Sequence, residues 1–204
     1  MSVCPETLLP GSRLALFGGS FNPPHIAHLA VAEAILEEAH LDYVLWMPAA
    51  TSPHKTGDST LASPAHRLAM VAAAIGENDK FLVSDWEIQQ GGVSYTVDTL
   101  RALTSEQKNV QLFLVLGGDS LAGFDTWKEP QQILELAGLL VYGRDPSDME
   151  NVRNELKAKV TIVEAPRLDL SSTELRERVS RGKSVRYLVH DEVWRYIRDN
   201  NLYR

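Results

Sequence analysis

Two histidines, His25 and His28, stand three residues apart behind the run Gly18-Gly19-Ser20-Phe21. At that spacing both imidazoles project from one face of the first turn of a helix. The apolar run 14–17 reads as a buried strand ending at Phe17, with Gly18-Gly19 as a tight turn and a helix beginning near His25. That order of strand, glycines and helix start makes an anion cradle. The glycines let the backbone approach a phosphate closely, and free N–H groups at the helix start attract it. Two imidazoles aimed into such a cradle would donate hydrogen bonds and stabilise charge as it develops. A zinc pair is the rival reading, but zinc needs at least a third ligand, and no His or Cys nearby in sequence supplies one. The only cysteine is Cys4, so no internal disulfide forms either. A single histidine here would read as a cap or a core filler; the pair behind two glycines reads as phosphate chemistry.

The elements that must position this pair are legible from end to end. Strands are expected at 14–17, 43–47, 81–83, 110–116, 139–142 and 160–163, and amphipathic helices at 27–39, 64–75, 96–103 and 149–158. The alternation predicts βαβ units with right-handed, short-looped crossovers: an α/β, Rossmann-like, doubly wound and mostly parallel sheet with helices on both faces. Ser63-Pro64 marks one helix start, and Ser172 or Thr173 caps another. A terminal helix is expected over 193–198, and 48–62 reads as a long surface loop. With 204 residues, 44% hydrophobic and 23% charged, the chain is expected to form one domain, 1–204. A formal charge of −7 excludes a broad electrostatic grip on nucleic acid, though not a local site for small phosphates. No apolar run is long enough to span a membrane, and the first residues lack a signal-peptide core, so the expected location is cytoplasmic.

The segment around His25 and His28 resembles the His-x-Gly-His nucleotidyltransferases, Rossmann-like enzymes that activate the α-phosphate of ATP or CTP. Ala27 stands where that signature has glycine. A torsion open only to glycine, or the closest approach to adenine, is lost there, at the expense of ATP affinity. Ser171-Ser172-Thr173 followed by Arg176 resembles the family's second signature. Physically it is another helix start dressed with hydroxyls, with Arg176 one turn in to meet β- and γ-phosphates. Alone it would be ordinary capping; paired with the first motif it is specific. Class I aminoacyl-tRNA synthetases share the first motif, but their lysine-rich second motif is absent. The resemblance implies ATP bound by Gly18, Gly19, Ser20, Phe21, His25, His28, Ser171, Ser172, Thr173 and Arg176. His25 and His28 would be the catalytic pair, and Mg2+ would arrive with ATP rather than occupy a protein metal site.

Three further segments resemble the nicotinate-nucleotide adenylyltransferase family. Lys55, in Ser52-Pro53-His54-Lys55, would hold a substrate phosphate. Ser94, before Tyr95 and Thr96, would cap a helix whose free N–H groups take the nicotinate carboxylate. Asp119 follows a buried strand and suits a ribose hydroxyl or the orientation of a metal-bound phosphate. Trp127 would stack on the pyridine ring, its alternative being a core tryptophan. Arg144, after the next strand, is a further phosphate candidate. Gln89 and Gln90 occupy the place where arginine is expected, and His190 replaces a common proline. The implied reaction is adenylyl transfer from ATP to nicotinic acid mononucleotide. Nicotinamide mononucleotide or phosphopantetheine as acceptor, or a binding protein without turnover, are the alternatives.

Overall fold

The computed structural model describes residues 2–5, 7–53, 60–143, 156 and 159–204. Among them six strands form, each from one of the expected apolar runs: β1 (Arg13–Gly19), β2 (Tyr43–Pro48), β3 (Phe81–Val83), β4 (Gln111–Gly117), β5 (Gly138–Tyr142) and β6 (Val160–Val163). They pair in parallel in the order β3-β2-β1-β4-β5-β6. From β1 the chain moves outward to β2 and β3; from β4 it moves the other way, to β5 and β6. The reversal opens a crevice at the carboxyl ends of β1 and β4, where ligands of such sheets bind.

The helices are α1 (Ile26–Glu38), α2 (Pro64–Ile75), α3 (Trp86–Gln90), α4 (Thr96–Glu106), α5 (Gly118–Ala122), α6 (Pro130–Leu136), α7 (Ser172–Ser180) and α8 (Asp191–Asp199), with a 3-10 turn at Phe124–Thr126. The two-residue period of the strands sorts their side chains between two cores. Ala15 and Phe17 of β1, with Val44 and Trp46 of β2, meet Ile35 of α1, Met70 of α2 and Leu175 of α7 on one face. Leu14, Leu16, Leu45 and Met47 meet Leu100 of α4 and Ile133 of α6 on the other. Each such aliphatic side chain contributes about 1.5–3 kcal/mol by leaving water, which holds both helical layers on the sheet.

Several expectations need correction. β1 does not end at Phe17: Gly18 and Gly19 still pair with Met47 and Pro48, and the chain turns at Ser20-Phe21, where Phe21 has φ 46. Gly19 is required for packing rather than turning, since a Cβ there would lie 3.0 Å from the Phe21 ring. The cap of α7 is Ser171, not Ser172 or Thr173. Its Oγ accepts from Glu174 N–H at 3.2 Å while Glu174 Oε2 accepts from Ser171 N–H at 3.0 Å, a reciprocal box that neither neighbour can form. Ser63 and Pro64 start α2 as expected, with Ser63 Oγ accepting from His66 N–H at 3.3 Å. The short helices α3, α5 and α6 were not anticipated, because five to seven residues show too little periodicity to be read. The expected helix at 149–158 lies outside the described residues except for Leu156, which is buried in the second core. Lys55 and Arg144 also lie outside them, as does the middle of the 48–62 loop. Among the described residues no helix is long and apolar enough to cross a membrane.

Candidate active site

The crevice is a cleft of ≈ 580 Å3, and the starts of α1, α5 and α7 all open onto it. From α1 come His25, Ala27 and His28; from the end of β4 and α5, Gly117, Gly118 and Asp119; from α7, Ser171, Ser172 and Thr173. Helix starts carry unpaired N–H groups and a positive dipole end, so this cleft is suited to polyanions although the whole chain is negative.

His25 is the N-cap of α1 and His28 its third residue. Their rings stack with centroids 3.7 Å apart, and His25 N–H donates to His28 Nδ1 at 3.2 Å. Nδ1 therefore carries a lone pair, and the proton of neutral His28 sits on Nε2. Phe21 braces the ring edge-on at 5.3 Å. Phe21 itself is 3% exposed and belongs to the first core. His25 is buried, its Nδ1 has no partner, and burial lowers its pKa to about 4. The histidine nearer the glycines is thus a neutral group at physiological pH. Ala27 lies in regular helix without positive φ, so no glycine-only torsion is lost there; only the steric part of that expectation stands.

The loop before α1 is held from three sides. Asn22, 1% exposed, accepts through Oδ1 from Ala62 N–H at 3.0 Å and from the Tyr203 hydroxyl at 2.8 Å. Ser172 Oγ donates to Pro23 O at 2.8 Å. Arg176 donates to Asn22 O at 3.0 Å, to Thr60 Oγ1 at 3.2 Å and to Thr173 Oγ1 at 3.4 Å. Its guanidinium is engaged in the loop and is not among the cleft-lining groups. Gly18 is exposed at the end of β1, and a Cβ there would meet nothing within 4 Å.

Ser94, Tyr95, Thr96 and Trp127 are not among the cleft-lining residues. Ser94 does not cap α4: that place belongs to Tyr95. Ser94 Oγ instead accepts from Ala50 N–H at 3.0 Å and Ser94 N–H donates to Thr51 O at 2.9 Å, fastening the start of α4 to the chain leaving β2. Glu87 supports this join, hydrogen-bonded to Ser94 and, at 2.6 Å, to Thr99; burial, the largest influence on its carboxyl, raises its pKa. Thr96 opens α4 half-buried, with Tyr95 more exposed beside it. Lys128 Nζ lies 4.6 Å over the Tyr95 ring and 2.8 Å from Asp98 Oδ2. Trp127 is half-buried, tilted against Phe124 at 5.6 Å, so the core reading holds for part of its surface and the rest remains available for contact.

Sequence reasoning missed Tyr142 and Arg167, which line the cleft. Both follow the rule that residues at carboxyl ends of strands face ligand: Tyr142 ends β5 and Arg167 follows β6. Burial, aided by the Asp119 charge, raises the Tyr142 pKa and keeps it a neutral phenol. Among the described residues no group of three His, Cys, Asp or Glu side chains converges as a metal cage, and Asp119 and Asp169 are the carboxylates of the cleft.

Comparison with known proteins agrees with this geometry. Residues 16–178 match the cytidylyltransferase-like family model, a span from β1 through most of α7 that includes every cleft-lining group. A protein of Salinibacter ruber, named "Probable nicotinate-nucleotide adenylyltransferase", is 44% identical over 94% of this chain and 97% of its own length. One of the same name from Roseiflexus castenholzii is 43% identical over 96% of this chain and 100% of its own. The chain belongs to this family, among its nicotinate-nucleotide adenylyltransferases. A solved structure of Plasmodium falciparum nicotinic acid mononucleotide adenylyltransferase complexed with NaAD superposes with a TM-score of 0.76, covering 94% of this chain and 97% of that one. At 20% identity that likeness shows the shared Rossmann-like fold. The family members are nucleotidyltransferases, and so is this chain.

Proposed function

We propose that residues 1–204 act as one nucleotidyltransferase domain that joins ATP to nicotinic acid mononucleotide, giving nicotinic acid adenine dinucleotide and pyrophosphate in NAD biosynthesis. The convergence of three helix starts, two of them carrying His25, His28, Ser171, Ser172 and Thr173, on one cleft at the β1/β4 reversal carries the reading. A phosphate oxygen of the mononucleotide attacks the α-phosphorus of ATP in line, the bond to the β-phosphate oxygen breaks, and pyrophosphate leaves with that electron pair. The nucleophile is already an anion, so no protein base is needed. Catalysis is positioning plus stabilisation of charge.

His28 donates from Nε2 to the transferring group, and neutral His25 supports it. Gly18, Gly19 and Ser20 shape the approach of the ATP phosphates, with Lys55, Arg144 and Arg167 as further cations. Ser171 to Thr173 face the departing pyrophosphate, and Arg176 secures the loop that presents the site. Asp119 takes a ribose hydroxyl or water on Mg2+. Asp119 and Asp169, the carboxylates of the cleft, would hold through water a Mg2+ ion brought with ATP, which would supply neutralisation of phosphate charge. The acceptor lies toward Ser94, Tyr95, Thr96 and Trp127.

Pyrophosphate release with Mg-ATP tests the reaction, with nicotinic acid mononucleotide, nicotinamide mononucleotide and phosphopantetheine compared at equal concentration. Turnover is expected with the acid mononucleotide; ATP binding without turnover on any acceptor would refute it. Gly18→Ala is expected to melt at the wild-type temperature, because its methyl meets no protein atom. It should nevertheless raise KM for ATP roughly tenfold by occupying the space of close phosphate approach. An unchanged KM would place the phosphates elsewhere.

A further inference from the structure

Arg67 of α2 is 2% exposed, and among the described residues no carboxylate pairs with it. Its planar fork is filled by carbonyls instead. Nε donates to Ala62 O at 3.2 Å and Nη1 to Ser20 O at 3.0 Å. Nη2 donates to Ala49 O at 2.7 Å and to Ala50 O at 3.0 Å. Burying a cation against neutral acceptors alone is costly, and a packed apolar side chain would stabilise the core more. The partners show what the cation does. Ser20 begins the loop that delivers His25, whereas Ala50 is fastened through its N–H to Ser94 at the start of α4. One guanidinium therefore spans the segment that presents the ATP side of the site and the segment that presents the acceptor side.

We propose that Arg67 is a positioning residue for the transfer reaction, setting the distance between the ATP-binding loop and the acceptor-binding start of α4. The inference rests on the adenylyl-transfer reading. In-line attack requires the two substrates to be placed within a few tenths of an ångström, and a misplacement of about 1 Å costs on the order of 100-fold. Lysine at this position keeps the charge, but a single ammonium cannot reach four carbonyls in three segments.

The test compares wild type, Arg67→Lys and Arg67→Met for pyrophosphate release, well below their melting temperatures, with ATP and nicotinic acid mononucleotide varied separately. Both variants are expected to raise KM for both substrates roughly tenfold and to lower kcat by a similar factor. If Arg67→Met does not fold, Arg67→Lys alone decides. Lowered melting with wild-type KM for both substrates would make Arg67 a structural residue and overturn the proposal. A change confined to one substrate would overturn it equally. A wild type inert with nicotinic acid mononucleotide would instead remove the underlying reaction, and the proposal with it.

Discussion

Replacing His28 with alanine is expected to lower kcat by about 100- to 1,000-fold while leaving KM for ATP within a few-fold of wild type. A hydrogen-bond donor that acts on charge developing in the transition state has an effect of that size. The donor is defined by its neighbour: His25 N–H occupies His28 Nδ1 at 3.2 Å, so Nε2 carries the proton. The stacked His25 ring and the edge of Phe21 hold the imidazole in place before substrate arrives. Alanine also removes a capping interaction at α1, a loss of about 1 kcal/mol that could be confused with a catalytic effect. His28→Asn separates the two. Its amide oxygen can still accept from the His25 N–H, but its nitrogen cannot reach as far as Nε2. Asparagine should therefore restore melting temperature without restoring kcat. Wild-type kcat in either variant would take His28 out of the mechanism.

The second large effect is on stability rather than rate. His25 is buried at 6% exposure, and burial lowers its pKa from 6.5 to about 4. A group whose pKa is depressed on folding binds its proton more readily in the unfolded chain. Its contribution is therefore complete above about pH 6.5 and is lost as the pH falls toward 4. A shift of that size corresponds to about 3 kcal/mol, a large fraction of the stability of an ordinary domain. His25→Asn keeps a side chain that caps helices well and removes the titration. Urea unfolding of both proteins at pH 7.5 and pH 4.5 checks this. The wild type should lose about 2–3 kcal/mol more than the variant over that interval, most of the full shift. Equal losses would show that His25 titrates normally. The same burial keeps His25 neutral beside the His28 ring, whose centroid lies 3.7 Å away.

Two of these residues mark the limit of what a linear reading can reach. Spacing placed His25 and His28 at a helix start behind a strand, because the strand and helix periods and the glycine run are local properties. It could not show that His28 turns Nδ1 back onto the His25 N–H, a choice of ring orientation that Phe21 braces, or that His25 is buried, which depends on packing. The motif at Ser171 to Thr173 was legible as a helix start. The Ser171 cap follows from Glu174 three residues on, a local box; what only the fold decided is that Ser172 Oγ donates to Pro23 O, 149 positions away.

The alternation of apolar runs and amphipathic stretches determined the parallel sheet, since a strand buried on both faces and a helix with one apolar stripe pack in few other ways. Strand order, and with it the position of the cleft, came only from tertiary pairing: β4 joins β1, although β2 and β3 intervene in sequence. Short elements such as α3, α5 and α6 carry too few periods to be read in advance. Arg67 shows the difference most plainly. In sequence it is one charged residue on an amphipathic helix, where the expected place is solvent. The fold buries it because carbonyls from three separate segments converge on its five donors, and convergence of that kind is not encoded by any spacing along the chain.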